Sequence, residues 1–225
     1  SAASDVYKRQ DGLKNPCVSI LWAGRLIGWK HPDASIRLAE SLKKKGYSFK
    51  MTLIGTGEME EQLHNMIGDK NLEDCVEMPG AMKASEVRSY MEKADIYLFT
   101  SDFNEGWGAV LNESMNSGCA VVASHAIGSV PFLIKNGENG LIYENGNQED
   151  LEKKVQGLLE DVPLRRKIGE NACKTIINTW NAENAVNRFM KLADTLSRKG
   201  KAEDLFFDGP CSKVGILKND WFCSK

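Results

Sequence analysis

One feature constrains the fold more than any other: short apolar runs recur between longer amphipathic stretches. From Cys17 onward, CVSILWAG, FKMTLIG, CVEMPG, ADIYLFTS, CAVVAS and NGLIY read as strands. HPDASIRLAESLKKKG, between the first two, reads as a helix with Pro32 near its start and Gly46 at its end. GEMEEQLHNMIGD and ASEVRSYMEKA (with Ser85 a candidate cap) fill the next gaps. WGAVLNESMNSG, closed by Gly118, and a helical turn at SVPFLI follow. Strands apolar on both faces and separated by helices need crossover connections. The chain is therefore expected to be an α/β protein, a twisted parallel sheet covered by helices on both sides. After Asn147 the pattern turns wholly helical, through QEDLEKKVQGLLED, PLRRKIGENACKTIINT and NAENAVNRFMKLADTLSRKG, with no internal repeat. In open sheets of this kind ligands bind beyond the carboxyl ends of the strands, so the loops after strands are where function is expected.

Three segments follow from this pattern. Residues 1–14 show no periodicity and are expected to be an edge or linker. Residues 15–197 form the α/β domain, and residues 198–225 an irregular tail. Leu205, Phe206, Phe207, Trp221 and Phe222 make the tail either a tuck against the domain or a dock for a partner. Composition narrows the partners. With 29 basic and 31 acidic residues the formal net charge is −2, which gives no electrostatic case for nucleic acid or an anionic membrane as the main partner. None of the six cysteines forms a C-x-x-C pair, which favours free thiols in the cytoplasm over a disulfide scaffold. Cys211 and Cys223 are a conceivable pair that nothing in the sequence supports. No apolar run approaches the roughly 20 residues of a membrane span, and no signal peptide is recognisable.

Three post-strand loops carry candidate chemistry. In AGRLIGWKHP, Arg25 and Lys30 follow the first strand; an arginine fork and a lysine point charge converging there suit a diphosphate, although two solvated cations would look the same. In IGTGEMEEQL, Gly55 and Gly57 resemble a truncated G-x-G fingerprint, but Glu60 stands where the third glycine belongs. A tight turn into a helix explains them as well as a dinucleotide site does. The richest loop is LFTSDFNEGWGAVLNESMNSGCAVVAS. Gly106, Trp107 and Gly108 open a helix there, where backbone N–H groups and the helix dipole favour an anion. Glu105 precedes the glycines and Glu113 lies eight residues on. The same spacing recurs at Glu144/Glu152 and Glu152/Glu160, so the context of two buried strands and two glycines is what distinguishes the pair. A carboxylate can accept hydrogen bonds from two neighbouring hydroxyls, which is how ribose and other sugars are commonly held. His125, a lone histidine after CAVVAS, reads as structural more readily than as a ligand.

The combination GRL-x3-K, IGTGE, SDFNEGWGAVLNESMNSGCAVVAS and G-x-x-x-F-L-I-x-N-G-x-N-G-L resembles the donor-binding half of retaining glycosyltransferases of family 4, which have the GT-B fold. The resemblance runs from about Asn15 to Ser197. It implies a Rossmann-like domain that is one half of a GT-B fold, binding a nucleoside diphosphate sugar. In such enzymes the residues matching Arg25 and Lys30 bind the donor diphosphate. The residue matching Glu105 binds the transferred sugar, beside the amides around Gly106, Trp107, Gly108, Ala109 and Val110. The residue matching Glu113 binds the ribose, and the turn near Pro79, Gly80 and Ala81 meets the base. Trp107 departs from the more usual phenylalanine. The GT-B fold also has a second Rossmann-like domain that holds the acceptor, a saccharide or glycolipid, and this chain is expected to contain only the donor half.

What the resemblance implies, then, is sugar transfer with retention at the anomeric carbon, Arg25 and Lys30 stabilising the leaving diphosphate. No D-x-D metal-binding pair occurs, so no metal or other cofactor is expected. Two other readings stay open. One is a nucleotide-binding module or subunit without chemistry of its own; the other is a GT-B-like nucleotide-sugar epimerase, which would use further acidic and histidine groups. Polysaccharide or glycolipid assembly, with peripheral membrane association, is a family-level analogy.

Overall fold

A computed structural model describes residues 17–202 and 205–223; the segment 1–14 and the Cys223 side chain lie outside the description. Six strands form the sheet: β1 (Val18–Ala23), β2 (Phe49–Ile54), β3 (Val76–Gly80), β4 (Ile96–Phe99), β5 (Ala120–Ser124) and β6 (Leu141–Tyr143). Between them run α1 (Pro32–Lys44), α2 (Glu60–Asp69), α3 (Ala84–Lys93), α4 (Val110–Asn116) and α5 (Val130–Leu133). Helices α6 (Gln148–Glu160), α7 (Val162–Asn178) and α8 (Ala182–Lys199) follow β6. The strand order is β3-β2-β1-β4-β5-β6 and every pair is parallel. This is the expected Rossmann-like α/β architecture.

Strand periodicity sends alternate residues into two cores. Ile20 and Trp22 of β1 join Leu38 and Leu42 of α1, Leu63 of α2, and Leu151 and Val155 of α6 on one face. Leu21 points the other way, into a layer with Tyr97, Phe99 and Val121. Met91 of α3, Leu111 and Met115 of α4, Leu133 of α5 and Ile176 of α7 cover that layer. Each such side chain contributes about 1.5–3 kcal/mol on leaving water. A buried arginine ties the base of this assembly together. Arg165 of α7 donates through Nη1 to the Leu158 carbonyl at 2.6 Å, and its Nε lies 4.0 Å from Asp95 Oδ1. The other Asp95 oxygen accepts the Ser19 amide at 2.9 Å.

Two helix starts differ from expectation. Helix α3 begins at Ala84, so Ser85 sits inside the first turn; the Lys83 amide instead donates to the Glu86 carboxylate at 2.9 Å. Helix α4 begins at Val110 rather than Trp107, because Gly108 adopts φ 70°, which a right-handed helix cannot accommodate. The tail is tucked in at its aromatic end. Trp221 and Phe222 pack on the second core, and Phe222 stacks on His125 with ring centroids 4.2 Å apart. Phe207 stays fully exposed. Cys75 and Cys173 are buried as small apolar side chains are, and that burial pushes the pKa of their thiols up. Helix α8 buries no residue and leaves Val186, Phe189 and Met190 exposed. Among the described residues no helix is long and apolar enough to cross a membrane.

Candidate functional site

The chain leaves β1 for β2 on one side of the sheet and builds β4 on the other side of β1. The crevice above this switch point is the place where an open α/β sheet accommodates a ligand. Three loops build most of it, and the turn after β3 adds Ala81 and Met82.

The first loop follows β1. The buried Tyr97 hydroxyl donates to the Ala23 carbonyl at 3.0 Å and fixes the strand's last residue. A relay of hydrogen bonds then anchors Lys30. Trp22 Nε1 donates to Thr100 Oγ1 at 2.9 Å, and Thr100 Oγ1 donates to the Lys30 carbonyl at 2.7 Å. The Asp102 amide reaches the Trp29 carbonyl at 2.9 Å. The short 3-10 turn Gly28–Lys30 is thus held to the end of β4. Beyond it His31, with φ 48°, turns the chain into α1 and brings Nε2 within 3.4 Å of Asp102 Oδ2. The Trp29 ring lies beside both candidate cations, 4.6 Å from Lys30 Nζ and 5.9 Å from Arg25 Cζ.

The second loop follows β2. Gly55 has φ 146°, and a Cβ there would fall 1.8 Å from the Gly24 carbonyl oxygen, so only glycine lets the first two loops touch. Its amide donates to the Gly80 carbonyl at 2.9 Å. Gly57 packs against the Leu26 backbone, where a Cβ would meet the carbonyl oxygen at 2.4 Å.

The third loop follows β4. The Lys30 ammonium and the Glu105 carboxylate form an ion pair, their side chains only 14% and 12% exposed. Ser101 Oγ donates to the same Glu105 oxygen at 3.0 Å. Gly108 lies on the Phe99 ring, where a Cβ would come within 2.3 Å. Gly128, in the loop after β5, presses on Gly106 so closely that a Cβ would lie 1.7 Å from the Gly106 oxygen.

These loops enclose a cleft of about 570 Å³, within the range of ligand sites, roughly 300–1,000 Å³. Of the expected residues, Arg25, Lys30, Gly55, Ala81, Glu105, Gly108, Ala109, Val110 and Glu113 line it. Gly24, Thr56, Met82 and Val87 line it too and were not singled out from the sequence. Gly57, Pro79, Gly80 and Gly106 do not line it; Gly57, Pro79 and Gly106 are exposed. Trp107 turns away altogether. Its Nε1 donates to Asn112 Oδ1 at 2.9 Å, and its ring stacks on Phe132 at 5.7 Å and tilts against Trp180 at 5.6 Å. Because α4 is only seven residues long, its dipole gives less anion affinity than a long helix would. Two cations and two carboxylates therefore carry the polarity of the cleft. Among the described residues, no group of three or more His, Cys, Asp or Glu side chains suits a metal ion. A groove of about 400 Å³ on the flank of α7, lined by Lys135, Lys174, Thr175 and Trp180 among others, gathers none of the expected residues.

The sequence pattern of the glycosyl transferases group 1 family matches residues 5–175. The chain belongs to this family. It is 35% identical over 149 residues to the amylovoran biosynthesis glycosyltransferase AmsK of Erwinia amylovora, a match covering 64% of this chain and 36% of that protein. This chain thus spans about a third of that relative's length. Among solved structures it is similar to TarM of S. aureus, a mutant crystallised with fondaparinux, alpha-GlcNAc-glycerol and UDP. That match has a TM-score of 0.70 and 27% identity, and covers 77% of this chain and 34% of the other. The C-terminal domain of the group 1 glycosyl transferase LpcC from Francisella tularensis shares the fold. It gives a TM-score of 0.67 at 24% identity, covering 73% of this chain and 87% of that one. The architecture therefore matches a group 1 C-terminal domain.

Proposed function

We propose that this domain binds the nucleoside diphosphate sugar of a retaining, family 4 hexosyltransferase. The observation that supports it most is the convergence of Arg25, Lys30, Glu105 and Glu113 on one cleft at the switch point of the sheet. In this reading Arg25 and Lys30 hold the diphosphate and stabilise the negative charge that develops on it as the sugar departs. Glu105 accepts hydrogen bonds from sugar hydroxyls, and Glu113 from the two hydroxyls of the ribose. The base lies toward Ala81 and Met82, beyond β3. With two fixed cations beside the leaving group, the site works without a metal. The acceptor, a saccharide or glycolipid, is held by a second Rossmann-like domain, so that the present chain by itself binds donor without turnover. The working enzyme is cytoplasmic, peripheral to the membrane at most.

Titration calorimetry with UDP, GDP and ADP in the presence of EDTA tests this reading. One of the three is expected to bind, with Arg25→Ala and Glu113→Ala each weakening it by about tenfold or more, the loss of a charge-assisted contact. UDP is the first probe because the similar TarM structure contains it. Equal binding by the parent and both variants, or binding that EDTA abolishes, would overturn the assignment.

A further inference from the structure

Lys30 and Glu105 are two groups that a nucleoside diphosphate sugar needs separately, the first for phosphate and the second for sugar, yet here they hold each other. We propose that Glu105 is an internal competitor for Lys30, and that this competition makes the site discriminate the sugar donor from the bare nucleoside diphosphate. The proposal rests on the nucleotide-sugar reading above and adds a specificity role for Glu105 that contact with the sugar alone does not require.

The two cations of the cleft differ in their starting state. Among the described residues Arg25 meets the face of Trp29 and no carboxylate, so it is ready for an anion. Lys30 is already neutralised by Glu105 in a nearly buried pair. A diphosphate that docks on Arg25 gains Lys30 only by separating that pair. Glu105 then keeps a single hydrogen bond, from Ser101 Oγ, in a place with little access to water. A buried charge that loses its partner carries a substantial penalty. A donor with its sugar attached offsets that penalty, because hydroxyls next to the phosphate replace the ammonium on the carboxylate. A bare nucleoside diphosphate has nothing to offer it. Once the sugar has left, Glu105 reclaims Lys30 and loosens the spent nucleotide. The relay from Trp22 through Thr100 to the Lys30 carbonyl keeps the lysine backbone fixed, so the exchange needs only side-chain motion.

The test is a double-mutant cycle read by calorimetry, with UDP and inorganic pyrophosphate as probes and thermal melting as the check on folding. Glu105→Gln is expected to bind UDP about tenfold more tightly than the parent, and Lys30→Ala more weakly. In the Lys30→Ala background the Glu105→Gln gain is expected to shrink to about twofold or less, since nothing is left to compete for. Pyrophosphate is expected to follow the same pattern, because the effect involves no base. Unchanged or weaker UDP binding by Glu105→Gln overturns the proposal, as does an equal gain in the Lys30→Ala background, which would reflect mere removal of negative charge. If neither probe binds any of the four proteins, the nucleotide reading itself falls and takes this proposal with it.

Discussion

Gly128 carries a share of the site although it lies outside the cleft. Its amide donates to the Glu105 carbonyl at 3.2 Å, and its missing side chain lets the Gly106 oxygen sit where a Cβ would be. Gly128→Ala must push the Gly106 backbone aside, and with it Glu105. The variant is expected to stay folded while losing about 1–3 kcal/mol of stability from overpacking, and to bind nucleotide more weakly. Denaturant unfolding and UDP titration check both halves, and parent-like affinity would show that the loop is not held from behind. The four charged residues were legible because each sits in or just after a loop that follows a buried strand. The direction of the Trp107 side chain was not legible, for the opposite reason. A side chain between two glycines can point either way, and its partners Phe132 and Trp180 are distant in sequence. Gly128 entered only as the first glycine of the G-x-x-x-F-L-I pattern, with no role attached, since its constraint is contact with a remote backbone atom.

At the scale of elements, the strands were readable because burial on both faces leaves continuous apolar runs, and β1, β4 and β5 show this directly. Helix starts were less so. The first turns of α3 and α4 are set by Glu86 reaching back to Lys83 and by the backbone angle of Gly108, neither of which is a propensity effect. Arg165 is the element-level tie that periodicity conceals, a charged residue on the buried face of α7, only 3% exposed. Burial pulls its guanidinium pKa below the ordinary value, and the Asp95 carboxylate opposes that shift. Arg165→Ala removes the bond to the Leu158 carbonyl and the ion pair and leaves a cavity, so a loss of about 3 kcal/mol is expected. Arg165→Met keeps most of the volume and is expected to lose less. The denaturant midpoints of the two variants decide this; an alanine variant as stable as the parent would mean the tie contributes nothing.

At the scale of the whole molecule, the order β3-β2-β1-β4-β5-β6 does the positioning. It opens one crevice beside β1 and brings loops from opposite halves of the sheet to its rim. Arg25 and Lys30 come from one loop and Glu105 from another, and they meet only because β1 and β4 are neighbours. The alternation of strands and helices predicted such a sheet, but the order of its strands is a long-range property that no local stretch encodes. The proposed function requires nucleotide to bind at this switch point. Amide chemical-shift mapping of the labelled chain with UDP tests it most directly. Shifts are expected at Gly24–Lys30, Gly55–Thr56, Ala81–Val87 and Glu105–Glu113, with the flank of α7 unmoved. Shifts confined to Lys135, Lys174, Thr175 and Trp180, with the switch-point loops silent, would contradict it.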